Sequence, residues 1–123
     1  MLRGEIYYVN FGVHNSSVQN GIRPGVILSN NLGNKYAPVV IVAPLTTKTK
    51  TNLPTHVEIT KNEENGLNLN SIVLLEQLMT VSKSDLRNKI GKVCQKDLNK
   101  IEKGLEISLD LKKKSIDKKK ILC

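Results

Sequence analysis

Apolar positions in this chain fall in short runs separated by polar stretches, until the last third, where they recur at helical spacing. Glu5 to Phe11, rich in aromatic and β-branched residues, predicts a strand. After a polar stretch from Gly12 to Gly21 come PGVILSN and then PVVIVAPLT, separated by NLGNKYA. Both are near-continuous apolar runs of strand length. Strands of that kind are covered on both faces, which predicts a tightly curled sheet or small barrel rather than an open meander. THVEI (55–59) alternates like a half-exposed strand, and KNEENGLNLN reads as loop. SIVLLEQL (71–78) predicts a further buried strand and MTVSK a short one after it. A turn is expected at Ser84 to Arg87, and KIGKVC reads as the last strand.

From Gln95 to Leu111 the period changes. Leu98, Ile101, Leu105 and Leu109 lie at i, i+3, i+7 and i+11, one stripe of a helix. Asp97 near its start suits the positive end of the helix dipole. Gly104 inside it costs about 1 kcal/mol relative to alanine, so packing must hold this helix. The pattern as a whole predicts a mainly β protein of the α+β class: a strongly bent, mostly antiparallel sheet with one C-terminal helix.

Length and charge narrow the picture. A chain of 123 residues is one domain and buries a core without staples. Its net charge of +8 is concentrated at the end: six lysines and Asp117 place +5 in the last twelve residues, leaving +3 on the body. Residues 1–111 therefore read as the domain and 112–123 as a lysine-rich tail, a solvated end before it is a phosphate anchor. With three tyrosines, one phenylalanine and no tryptophan, the chain is poor material for a broad base-stacking platform. The N-terminus lacks the apolar core of a targeting signal, and no run approaches a membrane span. Cys94 and Cys123 have no paired spacing with other ligands, and a reduced, cytoplasmic setting is expected. No CxxC or HExxH occurs, so neither a metal nor a cofactor is expected.

Familiar catalytic motifs are missing: no nucleophile elbow, phosphate-binding glycine loop or dinucleotide fingerprint is present. His14 and His56 could form an acid–base pair, since imidazole titrates near neutrality, but each also reads as a plain polar residue. The oddest residue is Arg23, in NGIRPGVILSNN, a charged side chain at the entrance of an apolar strand.

The segments RGEIYYVNF, GIRPGVILSNNLGNKYAPVVIVAPLTT, LPTHVEI and SIVLLEQLMTVSKSDLRNKIG, in this order and spacing, strongly resemble the MazF/PemK family. These are toxins of bacterial toxin–antitoxin pairs that act as sequence-specific endoribonucleases. The resemblance covers residues 3 to 111. It implies an SH3-like barrel with a C-terminal helix, a homodimer, and cleavage of single-stranded messenger RNA without metal or ribosome. It also implies control by an acidic, disordered antitoxin segment that covers the RNA groove, and DNA binding in that antitoxin's company. The family's catalytic arginine of G-x-R-P and threonine of I-V-A-x-x-T fall on Arg23 and Thr46.

The chemistry implied by this resemblance suits those two side chains. Attack by the neighbouring 2′-hydroxyl leaves a 2′,3′-cyclic phosphate and a 5′-hydroxyl, so the RNA brings its own nucleophile and DNA is excluded. The protein has to align the attack and neutralise charge on the phosphoryl oxygens. A guanidinium bonds two such oxygens at once, and a threonine hydroxyl adds a neutral donor. Taken alone, Arg23 would read as a surface arginine and Thr46 as an ordinary β-branched strand residue.

By the same resemblance Asn30, Leu53, Glu76 and Gln77 line the RNA groove, where amides and carboxylates pair with splayed base edges. Lys48 and Lys50 are expected to meet phosphates, and Ser17 and Gln19 to border the groove from the first polar loop. Two features depart from the family pattern: the first loop, GVHNSSVQNG, and Pro44 before Thr46, where a central strand would lose a ladder hydrogen bond. Two further classes fit the same fold: a toxin resembling CcdB that binds DNA gyrase, and a non-catalytic decoy that binds RNA or antitoxin.

Overall fold

The computed structural model describes residues 1–14, 19–47 and 52–111, so Ser17, Lys48, Lys50 and the lysine-rich tail lie outside the described residues. Seven strands and two helices run in the order β1 (Glu5–Asn10), β2 (Ile22–Ile27), α1 (Asn31–Tyr36), β3 (Val39–Thr46), β4 (His56–Ile59), β5 (Ser71–Leu74), β6 (Met79–Ser82), β7 (Leu86–Lys92) and α2 (Gln95–Ser108). Single 3-10 turns occupy Leu75–Gln77 and Lys83–Asp85. Every pairing is antiparallel, in the strand order β4-β5-β3-β2-β1-β7, with β6 also on β3.

β3 is the hinge of this arrangement. One of its edges holds β2, while the other holds β6 along Val39–Val42 and β5 along Leu45–Thr46. The sheet bends where that edge changes partner.

The sheet does not close into the expected barrel, because β4 and β7 end it on either side without pairing. The segment between β4 and β5 crosses the gap instead, and Lys92 N donates to Glu64 O at 3.0 Å. Gly66, at φ +67°, lies against the Ile90 carbonyl, and a β-carbon there would collide with it. Buried Asn65 holds this crossing together: its Oδ1 accepts from Asn62 N (3.0 Å) and Leu67 N (3.1 Å), and its Nδ2 donates to Thr60 O (2.9 Å).

The apolar runs are covered on both faces, as their continuity requires. Ile6, Val26, Ala43, Leu45, Val73 and Leu75 pack with Ile101 of α2, supported by Leu98 and Leu105. Val9, Phe11, Ile27, Val40, Val42 and Val81 form a second cluster. Gly104 now has a reason: a β-carbon there would collide with Leu75 and lie 3.2 Å from Val57, so glycine lets α2 approach the sheet. Leu109, the fourth member of the expected stripe, lies past the helix end and is half exposed.

Three boundaries differ from the pattern-based expectation. NLGNKYA contains α1, capped by Asn30, whose Oδ1 accepts from Gly33 N at 2.7 Å. Its helical period is invisible because only Asn34 is buried. SIVLLEQL is a strand only to Leu74, after which the chain turns. β7 begins at Leu86, well before KIGKVC, and its exposed Arg87, Asn88 and Lys89 hide it from an apolar reading.

Candidate active site

Antiparallel register decides which side chains share a face, because directly opposed residues point the same way. Val9 opposes Arg23, and Gly25 opposes Pro44. Two residues along each strand from the Gly25–Pro44 pair stand Arg23 and Thr46, so they share one face and would oppose each other if the ladder continued. It does not continue. Pro24 and Pro44, which have no N–H to donate, sit at this end, and Thr46 pairs on its other edge with Ile72. β2 and β3 therefore part between Arg23 and Thr46, and the predicted departure at Pro44 lies where the ladder stops.

Arg23 is partly exposed, and its Nε donates to the carbonyl of Asn20 at 2.8 Å. That carbonyl belongs to a loop with a closed neck: Phe11 N donates to Gly21 O and Gly21 N to Gly12 O. Asn20 also braces the loop, accepting from His14 N at 2.9 Å through Oδ1. Among the described residues no carboxylate pairs with Arg23, so its Nη groups remain available for an anion. Thr46 is buried, the last residue of β3.

The turn after β5 links this centre to β4. Gln77 Oε1 accepts from the backbone of buried Gln19 at 3.0 Å, tying the turn to the loop that holds Arg23. The neighbouring Glu76 takes His56 Nε2 at 2.9 Å and Thr55 Oγ1 at 3.2 Å. Burial pushes the Glu76 carboxyl up, but the hydrogen bonds from His56, its own backbone N–H and Thr55 outweigh it and hold the group below its ordinary value. Leu53 is half exposed where the chain enters β4, and its carbonyl accepts from His56 N at 2.9 Å.

Hydrogen bonds thus link Gln77 to Gln19, in the loop that holds Arg23, while Glu76 and Leu53 meet Thr55 and His56 at the start of β4. Asn30 does not join them. It caps α1, three residues beyond the far end of β2 from Arg23.

The two histidines hold separate partners and do not form a pair. His14 Nε2 is 2.8 Å from Phe11 O, and His56 Nε2 is held by Glu76. Among the described residues no three His, Cys, Asp or Glu side chains gather as metal ligands.

A cleft of about 470 Å³ opens beside Thr46, where β3 and β4 end and β5 begins, lined by Thr47, Asn52, His56, Glu58, Asn70 and Ile72 among others. Glu58 and Thr47 were not singled out from the sequence. Only the strand register relates them to Arg23.

This fold and site define a class: a small β-sheet protein in which an arginine, with no carboxylate partner among the described residues, stands across a strand split from a threonine, a geometry suited to a phosphate. Residues 2–109 match the profile of the PemK-like, MazF-like toxins of type II toxin–antitoxin systems, and the chain belongs to that family. It is 41% identical to the Endoribonuclease MazF of Staphylococcus saprophyticus over 112 residues, which cover 90% of this chain and 92% of that one. Among solved structures, it is similar to a mycobacterial endoribonuclease in complex with its cognate antitoxin (TM-score 0.77, 29% identity, 93% of this chain and 99% of that one). MazF from Deinococcus radiodurans shares the fold at 19% identity, with a TM-score of 0.77 over 90% of this chain and 97% of that one.

Proposed function

We propose that the protein is a toxin endoribonuclease that cleaves single-stranded RNA at a short sequence, with Arg23 and Thr46 acting on the scissile phosphate. The observation that carries this reading is the placement of Arg23 and Thr46 on one face, at the point where two prolines end the ladder between their strands. A phosphate there meets a planar cation and a hydroxyl together.

The 2′-hydroxyl of the RNA attacks the adjacent phosphorus in line, closing a cyclic phosphate and expelling the 5′-oxygen of the next nucleotide. Negative charge grows on the two non-bridging oxygens. Arg23, oriented through Nε by Asn20, offers its Nη donors to them as a fork, and Thr46 adds a hydroxyl. A guanidinium stays protonated, so Arg23 acts as a donor and not as a base. Gln19, Leu53, Glu76 and Gln77 border the path of the neighbouring nucleotides. No metal is required, because the nucleophile belongs to the substrate.

The mycobacterial relative's complex with its antitoxin supports an antitoxin as the inhibitory partner here. The separation of Asn30 from Arg23 supports a homodimer, in which a second copy would bring its own Asn30 to the RNA. Val39 and Ile41, each 41% exposed on β3, offer apolar surface for self-association. Light scattering after size exclusion is expected to give twice the mass of the 13.7 kDa chain. The cytoplasm, where such RNA is translated, is the proposed site of action. No helix among the described residues is long and apolar enough to cross a membrane.

The test is purified protein with a mixed single-stranded RNA in EDTA, beside Arg23→Ala. Cuts at one short sequence, ending in 5′-hydroxyls and lost in the mutant, are expected. Intact RNA, cuts abolished by EDTA, or a fully active mutant would overturn the reading. Intact RNA would return attention to gyrase binding or an inert decoy.

A further inference from the structure

The strand register carries the site further than Arg23 and Thr46. Glu58 opposes Ile72, Ile72 opposes Thr46, and Arg23 stands across the split from Thr46. These residues form one row across four strands, all on the same face. Neighbouring strands are about 4.8 Å apart, which puts Glu58 about 10 Å from Thr46. That is the reach of a nucleobase from its own phosphate.

Glu58 is exposed in the cleft beside Thr46, and no cation pairs with it among the described residues. An unpaired carboxylate so close to a phosphate site repels phosphate, so it is placed for something other than charge neutralisation. The rest of the lining is amide and hydroxyl, from Thr47, Asn52, Thr60, Asn70 and Ser71, with Ile72 as a flat apolar floor.

A second, independent observation comes from His56. It lines the same cleft, two residues along β4 on the same face, and its side chain is only 5% exposed. Nε2 is committed to Glu76, while Nδ1 is buried with no partner. Leaving a buried polar atom unpaired is costly, but Nδ1 is shut off from solvent and meets a ligand only if the ring turns towards the cleft.

The group open to the cleft and without a partner among the described residues is the Glu58 carboxylate, an acceptor. We propose that this cleft holds the nucleobase flanking the scissile phosphate, and that Glu58 selects there for a base with an exocyclic amine. Adenine, cytosine and guanine present such N–H donors; uracil has no exocyclic amine, and its single N3–H donor is flanked by two carbonyl oxygens that repel the carboxylate, so it is disfavoured. The inference rests on the endoribonuclease reading and deepens it, making Glu58 a specificity residue separate from the phosphate-binding pair.

The experiment compares the full chain with Glu58→Gln on a random-sequence single-stranded RNA pool, sequencing the new 5′ ends. Glutamine keeps the shape of this exposed side chain but can donate as well as accept. Wild type is expected to deplete uracil at one position beside the cut by about tenfold or more. In Glu58→Gln that depletion shrinks to within about threefold, with the rest of the motif kept. On the preferred RNA, KM should rise while kcat stays within about threefold. An unchanged motif in an active Glu58→Gln protein, or uracil accepted by wild type at every position beside the cut, would overturn this inference alone. A wild-type protein that cuts no RNA would overturn the endoribonuclease reading as well.

Discussion

Arg23 stands where β2 and β3 part, and its orientation comes from a backbone carbonyl, so the role proposed for it depends on the fork more than on the charge. Arg23→Lys keeps the charge and loses the paired geometry. Single-turnover cleavage is expected to fall by about 10²-fold or more, with the unfolding temperature unchanged. Thr46→Val separates hydroxyl from shape, since valine keeps the β-branch that fills this buried position. Cleavage should again fall by about 10²-fold while thermal unfolding stays close to wild type. Equal activity of Thr46→Val and wild type would remove Thr46 from the chemistry. The identity of both residues was legible in the sequence through the resemblance. Their opposition was not, because register is a property of paired strands.

Strands and helices answer to different tests. Glu5 of β1 is buried and ion-paired with Lys89 of β7 at 2.5 Å, and it also accepts from Leu2 N at 2.6 Å. Burial pushes its carboxyl up, but Lys89 and the Leu2 N–H prevail and hold it below the ordinary 4.5. Such a group stabilises the fold above the unfolded carboxyl's pKa, and that contribution disappears as pH falls through the folded value. Glu5→Gln should therefore cost about 1–2 kcal/mol at pH 7 and little at pH 3, read from urea unfolding at both. A cost that does not change with pH would show that the pair contributes through shape alone.

On α2, Gly104→Ala would gain helix propensity at an exposed site. Here the added carbon meets Leu75, which is fully buried and has no room to swing, so a net loss of about 1–3 kcal/mol is expected in thermal unfolding. The helix itself was plain from its stripe of leucines. The reason for its glycine appeared only when Leu75 and Val57 were placed beneath it. α1 stayed hidden for the opposite reason, since an exposed helix with one buried residue leaves no apolar period. Asn30 before it and Pro38 beyond it were the available signals.

At the scale of the whole molecule, the near-continuous apolar runs correctly announced a sheet covered on both faces, yet they suggested closure. Closure falls instead to a polar crossing whose Asn62, Asn65 and Gly66 pack through backbone and amide bonds, which hydrophobic patterning does not register. Gly66→Ala combines a left-handed φ with a collision against the Ile90 carbonyl. It should lower stability by about 2 kcal/mol or more and raise hydrogen exchange along β7, with β3 still protected. The lysine-rich end lies outside the described residues, and the expectation that it is a solvated tail has its own test. As a solvated tail, its deletion leaves the salt dependence of RNA binding unchanged; a slope reduced by about 4 would make it a phosphate anchor.

The same crossing and the β1–β7 pairing set the timing of assembly. β1 finds β2 soon after it is made, but its other neighbour, the crossing's landing place and the helix over the core all come from the end of the chain. Contacts so distant in sequence form late. A ribosome making this protein therefore holds a chain whose β2 and β3 can pair early but whose sheet edge and core are not completed until β7 and α2 have been made. The last-made strand and helix thus complete the frame around the first-made strands.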